Sequence, residues 1–276
     1  MKARLNPMQA APDTMKALLA LEKSREELNL AYEKEKDLGI LKSKFVSMAS
    51  HEFRTPLSTI LSSISLIKRY STPGDLHNQG RHIEKIQNAV KYLSCIMDDF
   101  LSLGKLEEGR VEANMESLSK QNLLADIDDL LQELSQSSQK YQKIELSHAI
   151  NAEFITIDRK ILRSVLMNLV ANAIKYSSER SIITVHCNSE PGELQISVGD
   201  QGIGISEEDQ KHLFERFFRA NNVTGIQGTG LGLHIVARYL DLLGGRITLN
   251  SELNEGTIFI IHIPQPKTSS PPAIHI

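Results

Sequence analysis

The chain's 276 residues, 41% of them apolar, can build one or two cores, and no stretch approaches the ~18 apolar residues that span a bilayer. A formal charge of −3 argues against nucleic acid as a partner, since that would need a basic surface. Two cysteines, Cys95 and Cys187, fit neither a disulfide framework nor a metal site with paired ligands, so a reduced, cytoplasmic setting is expected.

Residues 1–12 contain Pro7 and Pro12, show no period and lack the apolar core of a signal peptide, which predicts a disordered leader. From Asp13, a residue suited to an N-cap, a charged run to Lys44 places Leu18, Leu21, Leu28 and Tyr32 on heptad spacing, while Arg25 and Gly39 break the seam. An imperfect coiled coil over 13–44 is expected, because a polar helix this long has little to hold it without a partner. Running into the next helix, it would carry rotation or register shifts from an upstream sensor domain.

A first core helix is predicted from about Ile40 to Tyr70. Leu41, Phe45, Ala49, Phe53 and Leu57 recur every fourth residue and form a stripe that must be buried; Ile60, Ile64 and Ile67 continue it. His51 lies two steps, roughly 200°, from both Ala49 and Phe53, and so points away from the stripe. Thr55 shares its face one turn on, and Glu52 is adjacent. Pro56 removes the hydrogen bond to the Glu52 carbonyl and should kink the helix. Ser71-Thr72-Pro73-Gly74 ends it, and a second helix carries Ile83, Ile86, Val90, Leu93, Met97 and Phe100 at alternating gaps of three and four. An antiparallel hairpin of this kind has more apolar surface than one copy can cover. Two copies make a homodimeric four-helix bundle with His51 facing out.

The bundle region, 45–112, gives way to a different pattern. Residues 119–134, 159–176, 207–216 and 231–243 read as helices. Residues 144–150, 154–158, 181–188, 193–199, 246–251 and 256–263 read as strands. One sheet with helices on one face, an α+β two-layer sandwich over 113–264, is the expected second domain. The Pro- and Ser-rich tail, 265–276, is expected to be disordered.

Three segments of this domain place polar residues on otherwise apolar elements. Asn168 and Asn172, four apart in a helix, share a face, and Lys175 follows with Tyr176. Amide oxygens can join Mg²⁺, which favours oxygen ligands, and a lysine offers a point charge to phosphate. Asp200-Gln201-Gly202-Ile203-Gly204 ends a strand with a carboxylate able to accept from an exocyclic amine, and its glycines let backbone approach a ligand. Gly228-Thr229-Gly230-Leu231-Gly232-Leu233 opens a helix whose free N–H groups suit phosphate oxygens. It is neither a Walker loop, lacking the Lys-Ser/Thr pair, nor a dinucleotide fingerprint, lacking a βαβ unit.

Ser50-His51-Glu52-Phe53-Arg54-Thr55-Pro56-Leu57 resembles the H-box of two-component sensor histidine kinases, and Leu106-Glu107-Glu108-Gly109-Arg110 their end-of-bundle segment. The three polar segments resemble the N, G1 and G2 boxes of the GHKL (Bergerat) ATP-binding domain that these kinases share with the heat-shock chaperone, gyrase and mismatch-repair ATPases. Leu213 to Arg219 resembles the F box, and Gly256-Thr257-Ile258-Phe259 the final strand. The resemblance covers roughly 40–264. It implies that His51 takes the γ-phosphoryl group of ATP, with Glu52 as base, and passes it to an aspartate of a response regulator. Thr55 would position water for dephosphorylating that regulator. By the same resemblance Asp200 binds the adenine amino group, Asn172 holds Mg²⁺, Asn168 and Lys175 support the phosphates, and Tyr176 lines the base pocket. Residues from Phe217 to Gly230 would form a mobile lid. His234, where the family usually has a small residue, is assigned a structural role. Two other readings remain open: an ATPase that uses the nucleotide as a conformational clamp, and a non-enzymatic dimeric scaffold.

Overall fold

The computed structural model describes residues 7–69, 76–137, 141–223 and 226–266. It divides into two compact units, 1–57 and 58–276. Helix α1, Pro7–Ile67, crosses the division, starting inside the segment expected to be a disordered leader and running on through Pro56. A proline in the first helical position costs nothing there, because its missing N–H would have no partner anyway. In the first unit Leu21, Leu28 and Tyr32 of the heptad seam are exposed, as a seam awaiting a partner would be. The side chains of Leu18, Leu41 and Phe45 lie outside the described residues, as do the Ser71–Gly74 connection and most of the tail.

Helix α2, Leu76–Glu107, follows the end of α1 in the second unit. His82 Nδ1 lies 3.4 Å from the buried Ser63 hydroxyl, joining α2 to the end of α1. Half of the seam read from the sequence is exposed: Ile83, Val90 and Met97 are 48%, 49% and 55% accessible, while Ile86, Leu93 and Phe100 are half-buried. A second stripe seven residues apart, Ala89, Ile96 and Leu103, is buried instead, and Leu103 and Leu106 enter the core of the α/β domain.

That domain places a five-stranded sheet, order β2-β4-β5-β7-β6, against three helices. The strands are β2 Lys143–Ala149, β4 Ile182–Glu190, β5 Glu193–Asp200, β6 Arg246–Glu252 and β7 Gly256–Pro264. The helices are α3 Lys120–Ser137, α4 Arg159–Tyr176 and α6 Gly232–Leu242. Alternation on the strands drives the layering: Ile183, Val185 and Cys187 on β4, Leu194, Ile196 and Val198 on β5, and Phe259, Ile261 and Ile263 on β7 all face the core. Burying each of these large apolar side chains contributes roughly 1.5–3 kcal/mol.

Two expectations need correction. The strands do not form one sheet, because β3, Phe154–Ile157, pairs in a separate ribbon with a strand absent from the sequence reading, β1, Glu116–Ser119. Freed from β3, β2 pairs in parallel with β4. The helix expected over 207–216 is only one α-turn, α5, Glu207–Gln210. Beyond it the amides of Lys211, His212, Glu215 and Phe218 bond three residues back rather than four, and Phe217 reaches φ +64°. A helix cannot pass through that left-handed residue.

Candidate functional site

In the first unit, His51 stands on α1 with its side chain 74% exposed, while the neighbouring Glu52 side chain is buried to 7%. The Glu52 carboxylate lies 3.5 Å from His51 Nδ1, which leaves Nε2 as the outward nitrogen. Thr55, one turn on, donates its hydroxyl to the His51 carbonyl at 3.5 Å.

In the second unit, α4 carries the first polar segment. Asp158 caps it: one carboxylate oxygen accepts from the amides of Lys160 and Ile161, both at 2.9 Å, and the other from Asn114 at 2.8 Å. The apolar face of α4, including Val165, Leu169 and Val170, is buried, so Asn168, Asn172 and Lys175 are turned toward a cavity of about 740 Å³. This lies within the usual range for small-molecule sites. Asn168 donates to the Ser164 carbonyl at 3.0 Å, which directs its oxygen toward the start of α6, where a Cβ on Gly232 would come within 2.7 Å of it. Lys175 Nζ sits 4.8 Å above the Tyr176 ring, and both line the cavity.

Asp200 ends β5 at the cavity floor and accepts from the Gly202 amide at 2.8 Å. Burial pushes its pKa up to about 6, against the lowering effect of the Gly202 and Thr257 amides. Gly204 takes φ +63° hard against the Glu252 carbonyl, where any side chain would collide. Gly230, also left-handed at φ +67°, leaves room for the Phe218 carbonyl. With Gly228, Thr229 and Gly232 it forms the opposite wall. Asn222 donates to the Gly204 carbonyl at 2.9 Å, which holds the middle of the lid segment, and Arg219 donates to the carbonyls of Val223 and Ile226 within the same segment.

Three of the sequence-predicted residues stand behind the cavity rather than on it. Gly202 bridges to Ser177 at the end of α4, Phe217 packs against the core, and Leu231 is fully buried. Conversely, Tyr92, Cys95, Ile96 and Asp99 of α2 line the cavity, and sequence reasoning did not find them. A heptad-spaced pair within an apolar helix, Ala89 and Ile96, was the signal available. His234 is half-buried: Nδ1–H donates to the Phe214 carbonyl at 2.9 Å and Nε2 accepts from Arg216 Nε at 3.2 Å. Burial lowers its pKa, which keeps the ring neutral and able to do both.

An exposed histidine on a long helix, joined to an α/β domain whose cavity is faced by asparagines, a buried aspartate and a glycine-rich helix start, defines a phosphoacceptor-type helical region followed by an ATPase-type domain. Residues 41–109 match the His Kinase A (phospho-acceptor) domain. Residues 157–267 match the histidine kinase-, DNA gyrase B- and HSP90-like ATPase family. The sensor protein GacS of Pseudomonas syringae pv. syringae is 32% identical over 266 residues, which is 94% of this chain and 29% of GacS. The structure of full-length ShkA in complex with AMPPNP aligns with a TM-score of 0.56 at 25% identity, covering 81% of this chain and 46% of ShkA. The histidine kinase AdeS of Acinetobacter baumannii shares the fold, with a TM-score of 0.59 at 24% identity, over 78% of this chain and 98% of AdeS. The chain belongs to the two-component sensor histidine kinases, as their helical and ATP-binding core, and spans under a third of the length of GacS.

Proposed function

We propose that this chain autophosphorylates His51 from ATP and passes the phosphoryl group to an aspartate of a response regulator. The observation that carries the proposal is the pairing at His51: a ring exposed at one nitrogen and faced by a buried carboxylate at the other. A neutral imidazole with its proton on Nδ1 keeps a free lone pair on Nε2, which is the nucleophile here. Nε2 attacks the γ-phosphorus, the bond from that phosphorus to the β–γ bridging oxygen breaks, and ADP departs with the electron pair. The imidazolium that results loses its Nδ1 proton to Glu52.

The cavity of the α/β domain holds the nucleotide in this reading, as its relative ShkA holds AMPPNP. Asp200 accepts from the adenine amine, Tyr176 lines the base, and Asn168, Lys175 and Thr229 attend the phosphates. The donor set fits a hard cation, because Asn172 and Asn168 offer amide oxygens and Mg²⁺ takes oxygen ligands alongside phosphates and waters. Held by Asn172, Mg²⁺ would offset charge on the phosphate oxygens. Gly202, Phe217 and Leu231 shape the site from behind.

The exposed seam on α1 and α2 supports a homodimer, with Leu61, Ile83, Val90, Met97 and Leu101 each 48% accessible or more. We assign 13–44 to a signalling coiled coil, 45–112 to dimerisation and phosphotransfer, and 113–264 to catalysis. A sensor domain and the regulator are the partners this division requires. Among the described residues no helix is long and apolar enough to cross a membrane, and ATP as substrate favours the cytoplasm.

The test is incubation with γ-labelled ATP. Acid-labile, base-stable label on the chain that vanishes in His51→Gln is the expected result. Phosphate released to water with no protein label would replace the reading with an ATP-driven clamp, and neither label nor release would leave a scaffold.

A further inference from the structure

The cavity has a wall that nucleotide chemistry does not require. Helix α2 presents Asp99 to it, and Asp99 Oδ2 accepts a hydrogen bond from Thr229 Oγ1 at 2.8 Å. Thr229 is only 7% exposed, and its Oγ1 also accepts from the Leu231 amide at 3.2 Å, at the start of α6. Lys175 is near enough for its charge to favour the Asp99 carboxylate, although burial raises the Asp99 pKa. The carboxylate therefore takes up the hydroxyl and the cationic field that a polyphosphate in this cavity would use. A second tie fixes the same helix away from the phosphate end: Glu107 Oε1 lies 2.6 Å from Arg216 Nη1, and Arg216 reaches on to His234 of α6.

We propose that Asp99 is a built-in competitor of the nucleotide's phosphates, holding α2 closed on the Thr229 loop until ATP displaces it. The proposal rests on the reading of the cavity as the ATP site. Like charges confined in one partly desolvated cavity oppose each other, so the Asp99–Thr229 contact and a bound polyphosphate destabilise one another. The coupling is reciprocal: whatever factor the contact takes from ATP affinity, bound ATP takes from the contact. Nucleotide occupancy is thereby reported to α2, the helix that follows the phosphoacceptor helix in the chain. The effect is graded by charge, strongest for ATP, weaker for ADP and absent for adenosine.

The test compares dissociation constants of ATP, ADP and adenosine for the wild-type chain, Asp99→Asn and Glu107→Gln. Asparagine retains an oxygen for Thr229 and removes only the charge. Asp99→Asn is expected to bind ATP at least about fivefold tighter, with a smaller gain for ADP and none for adenosine. Glu107→Gln, which loosens α2 without touching the phosphate end, is expected to show no such gradient. Unchanged or weaker ATP binding by Asp99→Asn, or an equal gain for adenosine, overturns the proposal while leaving the ATP site intact. Failure of every form to bind any of the three overturns the ATP site and the competition with it. Hydrogen exchange in the wild-type chain gives a variant-free check: ATP, and not adenosine, should speed exchange of the α2 amides around Asp99, and no difference between the two would refute the idea.

Discussion

The Glu52 carboxylate lies 3.5 Å from His51 Nδ1 although the two residues are adjacent on a helix, where about 100° separates their directions. Only a lean of both side chains closes that gap, and the burial of Glu52 beside an exposed ring holds the lean in place. A carboxylate placed there would remove the Nδ1 proton as phosphate bonds to Nε2 in the proposed reaction. Glu52→Gln keeps shape and hydrogen-bonding capacity but cannot take the proton, so autophosphorylation should fall by about 10²- to 10⁴-fold. ATP affinity should not change, because Glu52 lies outside the residues lining the nucleotide cavity. Single-turnover labelling with a parallel binding measurement checks both, and a wild-type rate in Glu52→Gln would remove the base assignment.

Thr55 sits one turn beyond His51 and spends its hydroxyl proton on the His51 carbonyl, through a contact as long as 3.5 Å. So weak a bond is easily exchanged for one to water. Thr55→Ala is expected to leave autophosphorylation within about twofold, a change worth a few tenths of a kcal/mol, while slowing dephosphorylation of the regulator's phosphoaspartate by tenfold or more, about 1.4 kcal/mol of barrier. Equal dephosphorylation by Thr55→Ala and wild type would strip Thr55 of that role.

Asp200, pushed up to about 6 by burial, supplies a pH dependence whose sign can be worked out. In the proposed site its ionised form would accept from the adenine amine, so ATP affinity should be flat above pH 7 and weaken as pH falls through about 6, by up to tenfold per unit. Stability runs the other way. A carboxyl whose folded pKa lies above its unfolded value burdens the fold where it is ionised, above about pH 6, and the burden disappears below the unfolded value near 4. Asp200→Asn should therefore raise stability at pH 8 by about 1–2 kcal/mol, after discounting for the group's partial exposure, while abolishing the acid-side change in ATP affinity. Calorimetric unfolding at pH 8 and pH 5 checks the sign: a larger gain at pH 5 would contradict it.

Much of this site was legible because its elements are locally specified. The i, i+4 spacing of Asn168 and Asn172 against the apolar run from Leu162 to Leu169 marks which face of α4 turns to the cavity, whereas Asp158, read from the sequence as a strand end, proves to cap that helix. What escaped depends on pairing between distant segments. The four residues of β1 have no alternation to read and are extended only because Ser117 faces Thr156 across the ribbon. Parallel β2–β4 pairing likewise joins Lys143 to Ile182, which no local pattern encodes. In α2 both stripes are apolar, and which of them meets the α/β domain is decided by that domain, so Ile96 and Asp99 came to light only with the fold. The lone turn of α5 shows the converse: a helical pattern over 207–216 yields where Phe217 turns left-handed to bond Gly230.

Gln142, 6% exposed, holds the C-terminal end of α4, the end that carries Lys175 and Tyr176. Its Nε2 lies 3.0 Å from the Ile174 carbonyl, 3.3 Å from that of Ser177 and 3.1 Å from that of Ser178. These are the carbonyls a helix end leaves without amide partners. Gln142→Leu fills the space but strands them, at a cost of about 1–3 kcal/mol, which should lower the melting temperature by several degrees for a domain of this size. Gln142→Glu should cost more, since a carboxylate would then face carbonyl oxygens. Thermal unfolding of the two variants checks the order, and a melting temperature unchanged in Gln142→Leu would show that the end is held by other means.

The exposed seam makes the oligomeric state a quantitative matter. Leu61 on α1 and Met97 on α2 are 66% and 55% accessible, while the inner stripe of the same helix α2 is buried within a single chain. A soluble monomer would have no reason to carry two stripes, whereas a four-helix bundle of two hairpins buries the outer one against its copy. Each such side chain contributes roughly 1.5–3 kcal/mol when covered, and a two-fold interface counts every substitution twice. Leu61→Glu combined with Met97→Glu therefore removes at least about 6 kcal/mol from association, which weakens the dimer by 10⁴-fold or more. Light scattering at micromolar concentration should give a dimer for the wild-type chain and a monomer for the double variant. Nucleotide binding should persist in that variant, since neither residue lines the cavity. A wild-type chain already monomeric at that concentration would leave the outer seam to a different partner and remove the homodimer from the mechanism.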